Sequence, residues 1–240
     1  MEFPEIYGLN KCSEAGVDIF ALSIFLGNCN LRCPYCMNAK LINPIAHKLK
    51  PIDIKKVKEA VEENQSEWVI ISGGEPTCTP VLLLTNLITE IKSWGCKVGL
   101  STNGTNRGVF ESVLPLLDYV ALDIKTSDFQ HYVEIGAGNI NSIDILQEVL
   151  VCKTILVQKK LDNPDFSYEI RTTLYPPFVS EKDINEIGGL IRIGEEWVLQ
   201  QFRVTSEGLD KSISPYTQQE MDNLFKLALK YTINASVRYI

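Results

Sequence analysis

Three cysteines stand close together in the stretch GNCNLRCPYCMN (27–38): Cys29, Cys33 and Cys36, with the spacing CxxxCxxC. Thiolates so closely spaced suit a metal, but structural zinc sites and ferredoxin-type iron–sulfur clusters each take four protein ligands. The fourth ligand is missing locally. Either a distant residue such as Cys12 or His47 completes a zinc knuckle, or one coordination position stays open for chemistry, as at one iron of a 4Fe–4S cluster.

Further motifs with chemical potential follow apolar runs of the chain. GGEP (73–76) follows one run, STNG (101–104) ends the next, and Asp123 and Lys125 end a third. A glycine pair lets the backbone approach a ligand closely, and the carboxylate of Glu75 can accept a hydrogen bond from an ammonium group. Each motif also has an ordinary interpretation, as a turn or as solvated charges.

The elements that must position these residues alternate between β-branched apolar runs and amphipathic segments, which is typical of βα units around a parallel sheet. The predicted strands are 19–27, 67–73, 97–102, 118–124, 168–175 and 196–204. The predicted helices are 53–64, 80–94, 107–115, 142–151, 181–193 and 215–231. Segment 153–166 has two interpretations: its apolar start favours a strand, whereas Asn163-Pro164-Asp165 favours a turn. The pattern predicts an α/β fold, an incomplete (β/α)6 TIM-like barrel with a parallel sheet.

This layout places the motifs at one end of the predicted sheet, because each follows the carboxyl end of a strand. In parallel α/β architectures the loops at that end converge on the ligand. Arg171 begins a later part of the sheet and Gln201 and Arg203 lie on the last strand, where each either faces the interior or is a satisfied structural group.

Length and composition favour a single domain over residues 1–240, with a core at about 19–204, an N-terminal cap at 1–18 and a C-terminal helix and tail at 215–240. The net charge of −7 and the scattered Lys and Arg residues argue against nucleic acid as a partner. No apolar run reaches the length of a membrane span, and nothing resembles a signal peptide. Seven cysteines, an odd number, favour a reducing compartment, and we expect a cytoplasmic protein.

The triplet with an aromatic residue before its last cysteine, followed by GGEP after the next strand, resembles the radical S-adenosylmethionine superfamily. The resemblance implies that Cys29, Cys33 and Cys36 hold one 4Fe–4S cluster whose open iron binds S-adenosylmethionine, which is cleaved to methionine and a 5′-deoxyadenosyl radical. It implies contacts from the main chain of Tyr35 to the adenine and from the GGE residues to the amino group. The residues expected to bind the cofactor are Tyr35, Gly73, Gly74, Glu75, Ser101, Thr102, Asn103, Asp123, Lys125, Arg171 and Gln201.

Within the superfamily, the chain resembles the activating proteins of glycyl radical enzymes, such as those of anaerobic ribonucleoside-triphosphate reductase and pyruvate formate-lyase. The resemblance covers IFLGNCNLRCPYCMNAKLI, VIISGGEPT, KVGLSTNGT, DYVALDIKT, EIRTTLYPPF and VLQQFR. It implies an anaerobic oxidoreductase with a protein substrate and a low-potential electron donor such as flavodoxin or ferredoxin. Two alternatives stay open: an enzyme acting on a small molecule, like 7-carboxy-7-deazaguanine synthase, and a non-catalytic zinc or electron-transfer module.

Overall fold

The computed structural model describes residues 1–12, 21–136, 142–206 and 208–239. In these ranges eight strands form one sheet and follow one another in it in chain order. The strands are β1 (Ile6–Cys12), β2 (Ala21–Leu26), β3 (Trp68–Gly73), β4 (Lys97–Thr102), β5 (Tyr119–Asp123), β6 (Ser167–Leu174), β7 (Trp197–Gln201) and β8 (Ala235–Arg238). The helices are α1 (Ile54–Glu63), α2 (Val81–Ser93), α3 (Arg107–Val113), α4 (Phe129–Gly136), α5 (Ser142–Asp162), α6 (Glu181–Gly188) and α7 (Gln218–Ala228).

The sheet is mostly parallel, which confirms the predicted α/β class. β1 pairs antiparallel with β2, whereas β2–β3, β3–β4, β6–β7 and β7–β8 are parallel pairs. The six predicted strands correspond to β2 through β7, although residues 19 and 20 of the first lie outside the described residues. β1 and β8 lie in the segments predicted as cap and tail. Both are partly exposed edge strands, so they lack the apolar run that revealed the inner ones.

The chain forms two compact units, which we describe separately. Unit 1 contains Met1–Asn30, Lys40–Ala121 and Glu148–Tyr168, and unit 2 contains Leu31–Ala39, Leu122–Gln147 and Glu169–Ile240. In unit 1, α2 buries one stripe of side chains at helical spacing: Leu84, Leu87, Ile88 and Ile91. Burying such a side chain stabilises the fold by roughly 1.5–3 kcal/mol, so this stripe holds α2 in place. That the whole chain is one domain stays a prediction.

Unit 2 has its own core, in which Trp197 of β7 is fully buried and its indole Nε1 donates to Thr172 Oγ1 at 3.1 Å. Helix α7 begins at a capping box, with Thr217 and Glu220 each accepting from the other's backbone N–H. Helix α6 ends at Gly188 rather than at the predicted residue 193. A Cβ at Gly188 would clash with the ring of Tyr231, so the helix end needs a glycine for close packing.

Two helical regions differ from the prediction. Helix α5 continues to Asp162, so the open segment 153–166 is mainly helical. Its apolar residues at helical spacing, Val149, Cys152 and Leu156, are fully buried, which outweighs the strand-like appearance of a short β-branched run. Helix α4 was not predicted. No helix among the described residues has both the length and the apolar character needed to cross a bilayer.

Candidate functional site

In unit 1, three loops that carry predicted site residues leave the same end of neighbouring strands. β2, β3 and β4 are parallel neighbours, with Leu26 opposite Gly73 and Ile71 opposite Leu100. Cys29 therefore follows β2 at the same edge at which Glu75 follows β3 and Asn103 follows β4. The strand register of unit 1 therefore brings these three loops to one edge of the sheet.

The glycine pair lets the loop after β3 press against the loop that carries Cys29. Gly73 has φ of +122°, and a Cβ at Gly74 would clash with the carbonyl oxygen of Asn28. The Gly74 N–H donates to Leu26 O at 2.9 Å, and the Glu75 N–H donates to Asn28 O at 2.7 Å. These bonds fix the backbone that leads into Cys29.

The carboxylate of Glu75 joins the loops after β3 and β4. Glu75 is 1% exposed, and its Oε1 accepts from the Thr77 N–H at 2.9 Å and from the hydroxyls of Thr77 and Thr102 at 2.7 Å each. Its Oε2 accepts from the Asn103 N–H at 2.7 Å. Burial raises the pKa of Glu75 above its ordinary value, and these four donors oppose the rise. Oε2 accepts one of these four hydrogen bonds, and a carboxylate oxygen has the lone pairs to accept a second.

An amide pair ties the loop after β4 to the residue that follows Cys29. Asn103 Nδ2 donates to Asn30 Oδ1 at 3.1 Å, and Asn30 Nδ2 donates to Thr105 Oγ1 at 2.6 Å. The Thr105 hydroxyl and N–H both reach Asn103 Oδ1. Asn30 was missed in the sequence, where its only signal is its position directly after Cys29. Ser101 and Thr102 are buried at the end of β4.

In unit 2, Asp123 forms ion pairs with two basic side chains. Arg171 Nε donates to Asp123 Oδ1 at 2.9 Å, and Lys125 Nζ donates to Asp123 Oδ2 at 3.0 Å. Burial works to raise the pKa of Asp123, but the charges of Arg171 and Lys125 outweigh it and the pKa is lowered. Burial works to lower the pKa of Lys125, but Asp123 and then Cys33 hold it well above its ordinary value. Together these three side chains carry a formal charge of +1.

The loop with Cys33 and Cys36 also belongs to unit 2. Its backbone is anchored on both sides, since the Arg32 N–H donates to Ile135 O at 2.6 Å and the Asp210 N–H donates to Pro34 O at 2.8 Å. Burial raises the pKa of both thiols, and the charge of Lys125 acts to lower each of them. A nearby cation of this kind favours the thiolate form that metals bind.

Tyr35 anchors that loop in an aromatic cluster of unit 2. Its ring lies 5.0 Å from Tyr175 and 6.2 Å from Phe178, measured between centroids, and Tyr175 contacts Phe202 at 5.1 Å. The Tyr175 hydroxyl donates to Asp210 Oδ2 at 2.7 Å. The side chain of Tyr35 is therefore a packing element, while the predicted contact of its main chain with adenine stays a prediction.

Comparison with known proteins decides the family. The profile of the radical SAM superfamily matches residues 23–151, more than half of the chain. The chain belongs to the radical SAM superfamily. It is 32% identical to the "Putative glycyl-radical enzyme activating enzyme MJ1227" of Methanocaldococcus jannaschii, over 90% of this chain and 88% of that protein. It is 27% identical to the pyruvate formate-lyase-activating enzyme of Clostridium pasteurianum, over 70% of this chain and 68% of that protein. These matches confirm the resemblance found in the sequence.

Solved structures support the radical SAM fold. The coproporphyrinogen III oxidase HemN of Escherichia coli, titled a radical SAM enzyme, superposes with a TM-score of 0.54 at 10% identity, over 86% of this chain and 50% of that chain. A domain of the pyruvate-formate lyase-activating enzyme of Bacteroides vulgatus superposes with a TM-score of 0.52 at 16% identity, over 71% of this chain and 98% of that chain. At such identities the likeness shows the fold alone.

The last predicted radical SAM residues lie on β6 and β7. Arg171 is opposite Val198 in the register, and Leu174 is opposite Gln201. Because side chains alternate between faces, Gln201 lies on the opposite face of the sheet from Arg171, whereas Gln200 shares the face of Arg171. Gln200 is therefore a further candidate on the face of Arg171, and the contact of Gln201 with the cofactor stays a prediction. Arg203 lies beyond β7 and is exposed.

The cysteines outside the radical SAM triplet have ordinary surroundings. Cys12 pairs with Ala21 at the amino end of β2, whereas Cys29 follows the carboxyl end of β2. Cys96 and Cys152 are buried and donate to the carbonyls of Ser66 and Gly104. Among the described residues, no three His, Cys, Asp or Glu side chains are grouped so as to hold a single metal ion. An iron–sulfur cluster differs from such a single-ion site, because its thiolates bind separate irons.

Proposed function

We propose that this radical SAM protein cleaves S-adenosylmethionine and generates a glycyl radical on a partner protein. The observation that carries the proposal is the 32% identity over 90% of the chain to a relative named as a glycyl-radical enzyme activating enzyme. The match to a pyruvate formate-lyase-activating enzyme points the same way. A near full-length match matters because substrate recognition involves more of the chain than the cysteine motif does.

Cys29, Cys33 and Cys36 are proposed to hold a 4Fe–4S cluster. The donor set fits, because three closely spaced thiols leave one iron of such a cluster open. When bound, the cluster supplies the electron that cleaves the sulfonium of S-adenosylmethionine. The radical chemistry belongs to the cofactor, and the protein supplies binding and orientation.

Each of the two groups of residues, taken separately, carries side chains of the kind that bind the methionine end of S-adenosylmethionine. The two basic side chains around Asp123 suit the carboxylate of S-adenosylmethionine, and Lys125 is the proposed donor because its ammonium group has three N–H donors and uses one of them on Asp123. The second acceptor site on Glu75 Oε2 and the backbone of Gly73 and Gly74 fit the amino group. Thr102 and Asn103 position the carboxylate of Glu75 by donating hydrogen bonds to it.

The proposed substrate is a glycine backbone in a larger protein, and the electron comes from a reduced one-electron carrier in an anaerobic cytoplasm. The alternative substrate is a small molecule. A 7-carboxy-7-deazaguanine synthase of Haemophilus influenzae is 30% identical, but over only 43% of this chain and 44% of that protein. Because that match is partial, it supports shared cofactor chemistry rather than a shared substrate.

The test combines three measurements on anaerobically reconstituted protein. We expect about four irons per chain, loss of the cluster in Cys33→Ser, and formation of 5′-deoxyadenosine with dithionite. With the partner protein added, electron paramagnetic resonance should show a glycyl radical doublet that disappears when the target glycine is changed to alanine.

Three results would contradict the proposal in different ways. A protein that binds only zinc after reconstitution would indicate the zinc module. A cluster without any 5′-deoxyadenosine would indicate an electron-transfer module. Transfer of deuterium from a purine-like small molecule into 5′-deoxyadenosine would retain the radical SAM chemistry and replace the protein substrate.

A further inference from the structure

One segment of unit 1 has a charge opposite to that of the rest of the chain. Residues 40–58 contain six lysines and a single acidic residue, Asp53, which gives a formal charge of +5. The remaining residues contain 17 basic and 29 acidic side chains, a formal charge of −12. Lys and Arg are scattered over the rest of the chain, but in this segment, called here the basic segment, the lysines are clustered.

The lysines of the basic segment are presented to solvent. Lys48, Lys50, Lys55, Lys56 and Lys58 are all exposed, and in the described part of the chain none of these five forms an ion pair with a carboxylate. The single acid of the segment is already used, since Asp53 caps α1 by accepting from a backbone N–H at 2.8 Å. The positive charge is thus available to a partner.

The first half of the basic segment is a compact, hydrogen-bonded loop. The Leu49 N–H donates to Pro44 O at 3.0 Å, the Lys48 N–H donates to Ile45 O at 3.0 Å, and the Ala46 N–H donates to Asn43 Oδ1 at 3.1 Å. Ile45 on this loop is 81% exposed. An exposed apolar side chain beside lysines has the composition of a protein-binding patch, an apolar contact with a charged rim.

This loop lies against the backbone that leads to the first cysteine of the proposed cluster. The Asn28 N–H donates to Leu41 O at 2.7 Å, directly before Cys29. A Cβ at Gly27 would clash with the ring of Pro44, so the two backbones are in close contact. A partner bound at the basic segment would therefore stand beside Cys29, the first cysteine of the proposed cluster.

We propose that the basic segment is the docking surface for an acidic one-electron carrier protein, which supplies the electron to the cluster. The inference rests on the proposed function. In the transfer the carrier loses one electron and the cluster held by the three cysteines gains it. Charge complementarity selects this partner, because the −12 remainder of the chain repels an acidic protein and the +5 segment attracts it. Such an arrangement steers encounter toward one face.

The experiment measures binding of a reduced flavodoxin, as the probe, to the reconstituted protein by isothermal titration calorimetry. Lys48→Glu combined with Lys50→Glu should lower the affinity at least tenfold at about 50 mM salt, and the difference should shrink at about 300 mM, where screening is stronger. Lys226→Glu combined with Lys230→Glu is the matched control, with the same charge change at exposed sites of unit 2. It should change the affinity less than twofold.

Reduction of the cluster provides a second readout. In the Lys48/Lys50 variant, reduction by flavodoxin should slow by at least tenfold while reduction by dithionite stays unchanged, because dithionite needs no docking surface. Equal weakening in the control variant, or unchanged flavodoxin binding, would overturn the inference. So would loss of binding to a single-stranded oligonucleotide with flavodoxin binding intact, which would indicate a nucleic-acid surface. Since binding is measured without turnover, its outcome is separate from any failure of S-adenosylmethionine cleavage.

Discussion

The Asp123 ion triad permits a test of magnitude. Asp123→Asn keeps the shape of the side chain but leaves Lys125 and Arg171 as two mostly buried cations without their carboxylate. At about 3 Å and an effective dielectric constant of about 20, each pair is worth roughly 5 kcal/mol before desolvation is subtracted. Removing one partner of a buried pair costs about 3–5 kcal/mol, and the 27% exposure of the Asp123 side chain favours the lower end. We expect a loss of about 3 kcal/mol in the free energy of unfolding.

The assay is urea unfolding of reconstituted protein, followed by circular dichroism from about pH 7 downward. Glu111→Gln is the matched control, because Glu111 pairs with Arg107 at 3.7 Å on the surface and should contribute less than about 1 kcal/mol. The folded pKa of Asp123 lies below its ordinary value of 3.8, so its stabilisation is complete above that pH and is lost as the pH falls through the folded pKa. The difference in unfolding free energy between wild type and Asp123→Asn should therefore shrink in acid. The reasoning would be refuted if Asp123→Asn lost no more unfolding free energy than Glu111→Gln does. It would also be refuted if the difference between wild type and Asp123→Asn grew in acid.

Three further substitutions test the loops at the strand ends. Gly74→Ala should cost more than about 2 kcal/mol in unfolding free energy because its Cβ meets a backbone carbonyl, whereas Gly108→Ala, with open space around it in α3, should be neutral or stabilising. Asn30→Ala removes two hydrogen bonds and should speed the release of iron to a chelator severalfold, without changing the number of irons bound at the start. Gln200→Ala should raise the KM for S-adenosylmethionine more than Gln201→Ala does; the reverse order would contradict the assignment of faces from the register.

The inner strands and the glycine motif could be predicted from the sequence because each depends on local information. β3 and β5 contain the apolar runs WVII and YVAL, and GGEP marks a turn wherever it stands. The edge strands β1 and β8 could not, because their half-exposed patterns resemble loops. The length of α5 was open for a similar reason, since a short β-branched run does not reveal which neighbours will bury it.

The pairings within the candidate site were beyond sequence reasoning. That Asn30 meets Asn103, or that Asp123 meets Arg171, depends on which loops the topology brings together, and many polar residues of this chain are equal candidates. The face of Gln201 depended on a strand register that a shift of one residue would invert. The predicted roles of the three cysteines in cluster binding rest on the motif, and reconstitution is the measurement that tests them.

The anchor between Pro34 and Asp210 bears on when the protein becomes able to take up the proposed cluster. The two residues are separated by 176 positions, so their hydrogen bond is a contact of very high sequence separation. At a synthesis rate of about 5–20 residues per second, the cysteine loop leaves the ribosome about 10–35 s before the segment that pins it. During that interval the loop lacks one of its two backbone anchors, and its thiols are more open to oxidation or to the wrong metal. Cluster assembly on this protein is therefore expected to be post-translational, acting on a chain that has already folded.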